Sequence, residues 1–525
     1  MVSDNTQHKI GDRFIRLPRV KAHPLRRILG IPSLYSAGYG NVGSSIYYAL
    51  GVIALAAMGA TPVVLAIAGI FFIFTALTYA EGTAMLPEAG GSASFARHGF
   101  NDLVGFTSGW ALMLSYIVTI AISAFTIPPY LGFFWAPLKE DPIVGTTVSM
   151  GIILFLMTIN VIGVKETSLI NITAALLDLL VQILIIVLGF FFVFHFDTFI
   201  YNMKFYWPSW DKLFLGIALA AIAYTGVETM SQMAEETKQP AKKVPKALLL
   251  MVFTVLILFG GVATVGFSTM TPQEVASTWS TDPVAGIAHY ISLSIAPREI
   301  ASQIASGVEV RIILAWVFSG IRQVLPTLIA VLAASILLIA TNAGLMGISR
   351  LAFSLGRYKL VPSMLSRVHP RSKTPYISII LFSLIAVVIL IPSLFAREGF
   401  LRLGSLYAFG SLLSFVFAHA AIISLRIKNP DWHRPFKLGL NIRLKCYELP
   451  ATALLGLVGT LAIWLVLILT QPYSRWVGIA WMVLGLIIYF IFRWSNKLPL
   501  RNKPQSSKTL YVKDGFQARR QASTP

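Results

Sequence analysis

The stretch SAGYGNVGSSIYY, residues 36–48, interrupts a long apolar segment with three glycines, an asparagine and a pair of serines. Lipid offers no hydrogen-bond partners, so a helix that crosses a membrane keeps its backbone groups paired internally. Glycine and small polar residues in mid-span therefore indicate backbone that opens toward a protein-lined cavity. Secondary transporters bind substrate at such openings, because half-helix N-termini carry free N–H groups and a positive dipole end. The alternative is that Gly40 and Gly43 only allow another helix to approach closely.

The composition is that of a membrane protein. The chain has 525 residues, of which 56% are hydrophobic and 12% charged, about half the charged share of a soluble protein. Twelve segments are apolar over the roughly 20 residues that a spanning helix needs. They lie at 33–58, 61–86, 103–134, 143–163, 168–196, 211–236, 244–270, 324–356, 374–396, 400–426, 448–470 and 475–494. We therefore predict an all-α polytopic protein, with a membrane domain at 33–494 between polar tails at 1–32 and 495–525.

The net charge of +20 is distributed as in a membrane protein and not as in a nucleic-acid-binding protein. Lys and Arg concentrate at 238–246, 350–373 and 426–445, which lie on the inner side if the N-terminus is cytoplasmic. This asymmetry follows the positive-inside rule and predicts a plasma membrane protein with both termini in the cytoplasm. The same segments can contact anionic lipid headgroups. The N-terminal tail has no apolar core of its own, so no cleaved signal is expected.

The chain offers little for other chemistry. Its single cysteine, Cys446, has no partner for a disulfide. The sequence contains no nucleotide-binding motif, catalytic loop or metal-ligand cluster, so we predict neither an enzyme nor a cofactor nor a resident metal. The outer connection 271–323 holds an amphipathic stretch at 308–322, which we expect to form an interfacial or re-entrant cap. Glu81 is expected to be structural, and His419 to be hydrogen-bonded across helices.

A second interruption, from Tyr224 through Thr225 and Gly226 to Glu228, breaks the sixth apolar segment. Paired interruptions in corresponding segments are the best sequence indication of a transporter site. A carboxylate near mid-membrane costs about 2.5–3.5 kcal/mol on insertion scales, so Glu228 is expected to face the interior with a partner. It is either a ligand, gate or proton carrier, or a hydrogen-bond acceptor that holds the broken backbone in place.

Two longer motifs resemble a known family. The run AEETKQPAKKVPKAL, residues 234–248, is similar to the signature after the sixth helix of amino acid–polyamine–organocation (APC) permeases. The run TYAEGTAMLPEAGGSASFARHGF, residues 78–100, resembles the loop after their second helix. The matching positions of that loop are Pro87, Glu88, Gly90 and Gly91. The resemblance implies a five-plus-five inverted repeat, in which helices 1 and 6 are broken around a central site.

The first helix departs from the amino acid permease pattern. Those proteins usually carry G-[ST]-G-I-F, and the last glycine of that pattern lets a substrate carboxylate approach the backbone closely. This chain has Ser45 at that position. The run YGNVGSSIYYAL, residues 39–50, also resembles the YGDIGTSPLYAL segment of potassium uptake permeases. Asn41 stands where those proteins have an acidic residue, and Ser115 stands where they have an aspartate in helix three. These two differences weaken the interpretation that the substrate is potassium, but they do not exclude it.

An ion-coupling site is predicted on helix five. Asn171, Asp178 and Gln182 are spaced seven and four residues apart, which places them on one helical face. Burial would let Asp178 carry a proton, whereas convergent oxygens would keep it ionised around a cation. In helix eight, Thr341 and Asn342 are candidate ligands. The alternative is that Asp178 pairs with a basic residue near the inner face.

These observations favour a secondary transporter for an amino acid or related amine, with proton-coupled uptake. The substrate carboxylate is expected on the N–H groups of Gly43, Ser44 and Ser45. Its ammonium is expected on carbonyls of Asn41, Tyr224 and Thr225. Gly226 and Glu228 are further candidate substrate-binding residues. The main alternative is a potassium–proton symporter of the same superfamily. A substrate sensor, or a subunit that requires a single-span partner, is a third interpretation. The predicted partners are a small-molecule substrate, a proton or monovalent cation and the lipid bilayer.

Overall fold

The protein is a bundle of long helices. A computed structural model describes residues 27–163, 168–295, 308–370, 372, 374–394, 399–437, 439–443 and 447–502. At 168–170, 308–316 and 318 only the backbone is described. In the first half the helices are α1 (Ile31–Val42), α2 (Ile46–Ala57), α3 (Thr61–Met85), α4 (Ser92–Gly99), α5 (Asp102–Leu131), α6 (Pro137–Glu140), α7 (Pro142–Ile162), α8 (Ser168–Phe192), α9 (Phe196–Phe205), α10 (Trp210–Ala220) and α11 (Val227–Gln232). In the second half they are α12 (Pro240–Thr269), α13 (Pro272–Ala276), α14 (Pro283–Ser294), α15 (Val308–Arg357), α16 (Tyr376–Leu390), α17 (Gly399–Lys428), α18 (Ala451–Thr470) and α19 (Pro472–Ser495). Strands β1 (Asn441–Arg443) and β2 (Glu448–Pro450) pair antiparallel. Cys446 lies outside the described residues.

The all-α polytopic prediction is confirmed. The described part of the chain contains 11 helical segments that are long and apolar enough to cross a membrane. One of them, Ile31–Met85, has 55 residues and covers the first two predicted spans. At 1.5 Å per residue it would measure about 80 Å, more than twice the bilayer core, and the chain turns within it at Met58. The count of twelve spans and the inverted repeat stay predictions.

The prediction of a separate cap at 308–322 was wrong. This stretch is the first part of α15, a single helix of 50 residues. Pro326 lies inside the helix without ending it. Amphipathic periodicity identifies a helix but does not show where it ends, and the stretch contains no stop signal that separates it from the span that follows.

The spans differ in how far the protein covers them. The apolar window of α5 is 94% buried, whereas that of α19 is only 17% buried. The centre of the bundle is therefore α5, which packs against α15 and α17, and α19 presents most of its surface outward. A side chain on α5 or its neighbours can face a protein interior, as a polar group at membrane depth requires.

Buried polar groups are paired between spans. Glu81 at the end of α3 accepts two hydrogen bonds from Arg426 of α17, both of 2.6 Å. Arg434 adds a contact of 3.6 Å to the same carboxylate. His419 lies within hydrogen-bond distance of Thr78, at 2.9 Å, and Thr75, at 3.2 Å. The structural roles expected for Glu81 and His419 agree with these contacts.

The Glu81–Arg426 pair gives a first prediction. Replacing Arg426 by Leu removes two short hydrogen bonds from the buried carboxylate of Glu81, which should cost about 3–5 kcal/mol. We expect a lower melting temperature and a lower yield in detergent. The double variant Glu81→Leu/Arg426→Leu removes both charges and should recover most of the stability. A double variant as unstable as Arg426→Leu would show that the charge pairing is not what matters.

Candidate functional site

The interruption of the first span is a tight turn. Residues Gly43–Ser45 form one 3-10 turn between α1 and α2, and their flanking dihedral angles remain right-handed helical. The N–H of Gly43 donates to the carbonyl of Tyr39. A Cβ added at Gly43 would lie 2.7 Å from the ring of Tyr39, so only glycine fits beneath that ring. The sequence predicted a break here, but the Gly43 N–H is paired in this conformation and not open.

The interruption of the sixth span is wider. Thr225 is extended between the 3-10 turn Ala221–Tyr224 and α11, and Gly226 has φ +115°, which favours glycine. Glu228 is 1% exposed, and its Oε2 accepts the N–H of Gly226 at 3.1 Å. The carboxylate thus pairs a backbone donor that the break releases, which is the structural role expected as one alternative.

The two interruptions meet inside the bundle. Nδ2 of Asn41 donates to Oγ1 of Thr229 at 2.8 Å, joining α1 to α11. A Cβ added at Gly226 would lie 2.8 Å from the same Nδ2, so the Asn41 side chain packs too closely on the Gly226 backbone for a larger residue. Asn41 is 2% exposed, and its Oδ1 has no hydrogen-bond partner among the described residues. A buried acceptor without a partner costs free energy unless a ligand or water satisfies it.

Asp178 ties both halves of the first span to α8. It is 1% exposed, and its carboxylate accepts the hydroxyl of Tyr39 at 2.8 Å and that of Tyr47 at 2.6 Å. A third hydrogen bond comes from Gln182 at 2.7 Å, as the predicted helical face requires. Tyr39 belongs to α1 and Tyr47 to α2. One carboxylate therefore bridges the turn at Gly43, and its partners are neutral donors, not the basic residue of the alternative interpretation.

Other predicted site residues have different partners. The Tyr224 hydroxyl donates to the carbonyl of Leu65 at 3.0 Å, so its side chain faces α3. The Thr341 hydroxyl donates to its own helix at Leu337. Asn342 accepts a hydrogen bond from Asn160 of α7. The structure thus brings Asp178 together with the first span but joins it by no described hydrogen bond to Thr341 or Asn342.

The hydroxyls of the serine pair are also engaged. Ser44 donates to the carbonyl of Asn41 at 3.1 Å, and Ser45 lies 3.0 Å from the hydroxyl of Tyr48. Within the described ranges, no group of three or more His, Cys, Asp or Glu side chains is placed to hold a metal ion. The polar groups at the two interruptions are thus amide, hydroxyl, carboxylate and backbone atoms.

The ends of α1 and α11 that lie away from the interruptions are joined through the segments beside them. The N–H groups of Ile28 and Leu29 both donate to the carbonyl of Glu236, at 2.9 and 3.0 Å. The carbonyl of Leu29 in turn accepts the N–H of Lys238 at 3.0 Å. The segment before α1 therefore runs beside the segment after α11, and the two half-helices are linked at both ends.

Ion pairs connect this linked end to α15. The carboxylate of Glu235 pairs with Arg357 at 2.6 Å, and that of Glu236 pairs with Arg350 at 3.1 Å.

Glu88, in the loop after α3, accepts hydrogen bonds from Ser94 and His98. Burial raises the pKa of Glu88, but the hydrogen bonds and charge of His98 outweigh it and lower the pKa to about 2. Glu88 is therefore ionised at neutral pH.

Sequence reasoning missed Tyr39, Tyr47 and Thr229. Tyr39 and Tyr47 each lie four residues from Gly43, so they are eight residues apart, just over two helical turns. Their positions predict one shared face across the turn, and this signal could have identified them. Thr229 carried no comparable signal, because its contact depends on how two distant segments pack.

Comparison with known proteins places these features in a family context. A family model described as "Amino acid permease" matches residues 29–492. The chain is 27% identical to the branched-chain amino acid permease BcaP of Bacillus subtilis, over 89% of this chain and 93% of that protein. It is 26% identical to the methylthioribose transporter of Bacillus subtilis, over 92% and 96% of the two chains. It is also 26% identical to the human large neutral amino acids transporter small subunit 2, over 90% and 82%.

The glycine of the first turn provides a second prediction. Gly43→Ala should displace the Tyr39 ring and weaken its bond to Asp178, at a cost of about 1–3 kcal/mol. We expect amino acid uptake into proteoliposomes to fall roughly tenfold or more. Gly40→Ala is the matched control, because its Cβ would lie 3.6 Å from Ile339, an ordinary contact. Equal uptake by two well-folded variants would remove the Gly43 turn from the site.

Proposed function

Since the chain belongs to the amino acid permease family, we propose that it is a secondary transporter that carries an amino acid or related amine into the cell together with protons. The family and its relatives are transporters, and the protein is multi-pass with apolar helices of spanning length. The observation that carries the proposal is the meeting of two interrupted spans at Asn41, whose buried Oδ1 lacks a partner.

In the proposed binding mode the substrate lies between the two interruptions. Its ammonium group is held by oxygen atoms, among them Oδ1 of Asn41 and the carbonyls of Tyr224 and Thr225. Its carboxylate is held by N–H groups of the turn Gly43–Ser45. Because the Gly43 N–H is paired with Tyr39, binding requires this turn to open, and substrate binding is then linked to the geometry of α1.

Asp178 is proposed as the proton carrier. An ionised carboxylate only accepts hydrogen bonds and satisfies all three donors around it, whereas a protonated carboxyl donates one hydrogen bond itself. Protonation therefore weakens the hydrogen bond from Tyr39 or from Tyr47, and the Asp178 side chain then bridges the turn less firmly. Proton binding and opening of the turn then favour each other, which is the reciprocity that coupling requires. Thr341 and Asn342 stay predicted ion ligands.

The coupling proposal is tested with Asp178→Asn, which mimics the neutral form. We expect exchange of substrate across proteoliposomes to persist, while accumulation driven by a pH gradient is lost. Glu228→Gln is the matched carboxyl-to-amide control and should still accumulate substrate, because Glu228 pairs its own broken backbone. If Asp178→Asn accumulates substrate as the natural protein does, Asp178 is structural and Glu228 becomes the candidate. Uptake that requires sodium and ignores a proton ionophore at fixed voltage would assign the coupling to sodium.

The potassium alternative is tested separately. A zwitterion needs donors and acceptors together, whereas potassium needs only a cage of oxygens. We expect no growth rescue of a host deficient in potassium uptake, and a thermal shift of the purified protein with at least one amino acid or amine. Methylthioribose belongs in the same screen, since one relative is named as a methylthioribose transporter. Growth rescue without amino acid counterflow would favour the potassium symporter, and binding without any flux would favour a sensor.

A further inference from the structure

A cavity of about 330 Å³ lies where α17 ends and α18 begins, on the side predicted to be cytoplasmic. It is separate from the two interrupted spans, and its lining comes from the end of α17, the following loop and the β1–β2 hairpin. The side chains that matter here are Arg426, Arg434, Lys437, Arg443, Tyr447 and Glu448. Four of these six are cationic and one is anionic, so the cavity is positively charged.

Two of the cations form a fixed floor. The side chains of Arg426 and Arg434 are 3% and 6% exposed, and both face the buried Glu81. Arg434 also donates to the carbonyls of Leu425, Asn429, Pro430 and Trp432, which holds its guanidinium in one orientation. Nε of Arg434 has no hydrogen-bond partner among the described residues. A positive floor is thus held in place before any ligand arrives.

The other two cations stand at the rim. The side chains of Lys437 and Arg443 are 48% and 87% exposed, and both lie near Glu448. The hydrogen bond from Lys437 lowers the pKa of Glu448, which stays ionised at neutral pH. One carboxylate cannot neutralise both rim cations, so the rim keeps a net positive charge for an incoming anion.

Exposed apolar side chains that neighbour the cavity-lining residues in sequence point to a membrane-bound ligand. Leu440, just before β1, is 77% exposed, and Ile442, within β1, is 47% exposed. Ile427, in the last turn of α17, is 43% exposed. Exposed apolar groups beside a cluster of cations match the boundary between headgroups and acyl chains, whereas a site for a free anion needs no such apolar edge.

We propose that this cavity binds the phosphate headgroup of an anionic phospholipid of the inner leaflet. Basic pockets on the cytoplasmic side of membrane helices are suited to such headgroups, and each nearby Lys or Arg adds to the attraction. The phosphate contacts the floor arginines and the rim cations, and the acyl chains lie along the exposed apolar residues. This inference rests on the predicted orientation but not on the transported substrate.

The test uses the full-length protein, native mass spectrometry and titration with phosphatidylglycerol or phosphatidylcholine. We expect selective retention of phosphatidylglycerol, and roughly 30-fold weaker retention by the double variant Lys437→Ala/Arg443→Ala, equivalent to about 2 kcal/mol. Both residues are exposed, so the fold should be preserved. The matched control, Lys204→Ala/Lys212→Ala, removes two exposed cations from segments predicted to be outside and should retain the lipid. Glu448→Gln removes the one rim anion and should tighten retention.

Several outcomes would overturn the proposal. Equal loss of lipid in the rim variant and the control would show only a general charge effect. Equal retention of both lipids by the natural protein would remove headgroup selectivity. Protection against heat by inorganic phosphate in detergent, abolished in the rim variant and without selective lipid retention, would assign the cavity to a soluble phosphate compound.

Discussion

A carboxylate inside a membrane protein must find its partners within the protein, and Asp178 finds them on both sides of an interrupted helix. Tyr39 before the turn and Tyr47 after it donate to the same carboxylate, with Gln182 as a third donor. Because lipid cannot replace these bonds, the geometry of the first span and the charge of Asp178 cannot change independently. The proposed site and the proposed coupling both depend on this constraint.

The rest of the bundle transmits that constraint. Asn41 links α1 to α11 at the interruptions, and a backbone hydrogen bond from Leu29 to Glu236 links them again at their far ends. Two half-helices joined twice behave as one unit. The pairs Glu235–Arg357 and Glu236–Arg350 then connect this unit to α15. In the proposed mechanism, loosening the hydrogen bonds at Asp178 moves this unit, and these partly buried ion pairs then exchange partners.

The sequence predicted local features more reliably than contacts. Apolar length predicted the spanning helices, glycine and polar residues predicted both interruptions, and seven-and-four spacing predicted that Gln182 reaches Asp178. These signals are local, because each follows from helix geometry or from the cost of polar groups in lipid. The cap at 308–322 was mispredicted, since periodicity does not mark helix ends. The Gly43 N–H, expected to be free, is paired with the Tyr39 carbonyl in this conformation, and glycine permits several backbone states. Partners such as Thr229 for Asn41 depend on packing between distant segments and left no pattern in the chain.

The most direct test is a cryo-electron microscopy structure of the protein with the amino acid that most raises its melting temperature. The account predicts ligand density between the two interruptions, with the ammonium within hydrogen-bond distance of Oδ1 of Asn41. It also predicts that the carboxylate lies on the Gly43–Ser45 turn, with the Gly43 N–H released from Tyr39. Ligand density elsewhere in the bundle, with the bond between Gly43 and Tyr39 intact, would contradict the central claim.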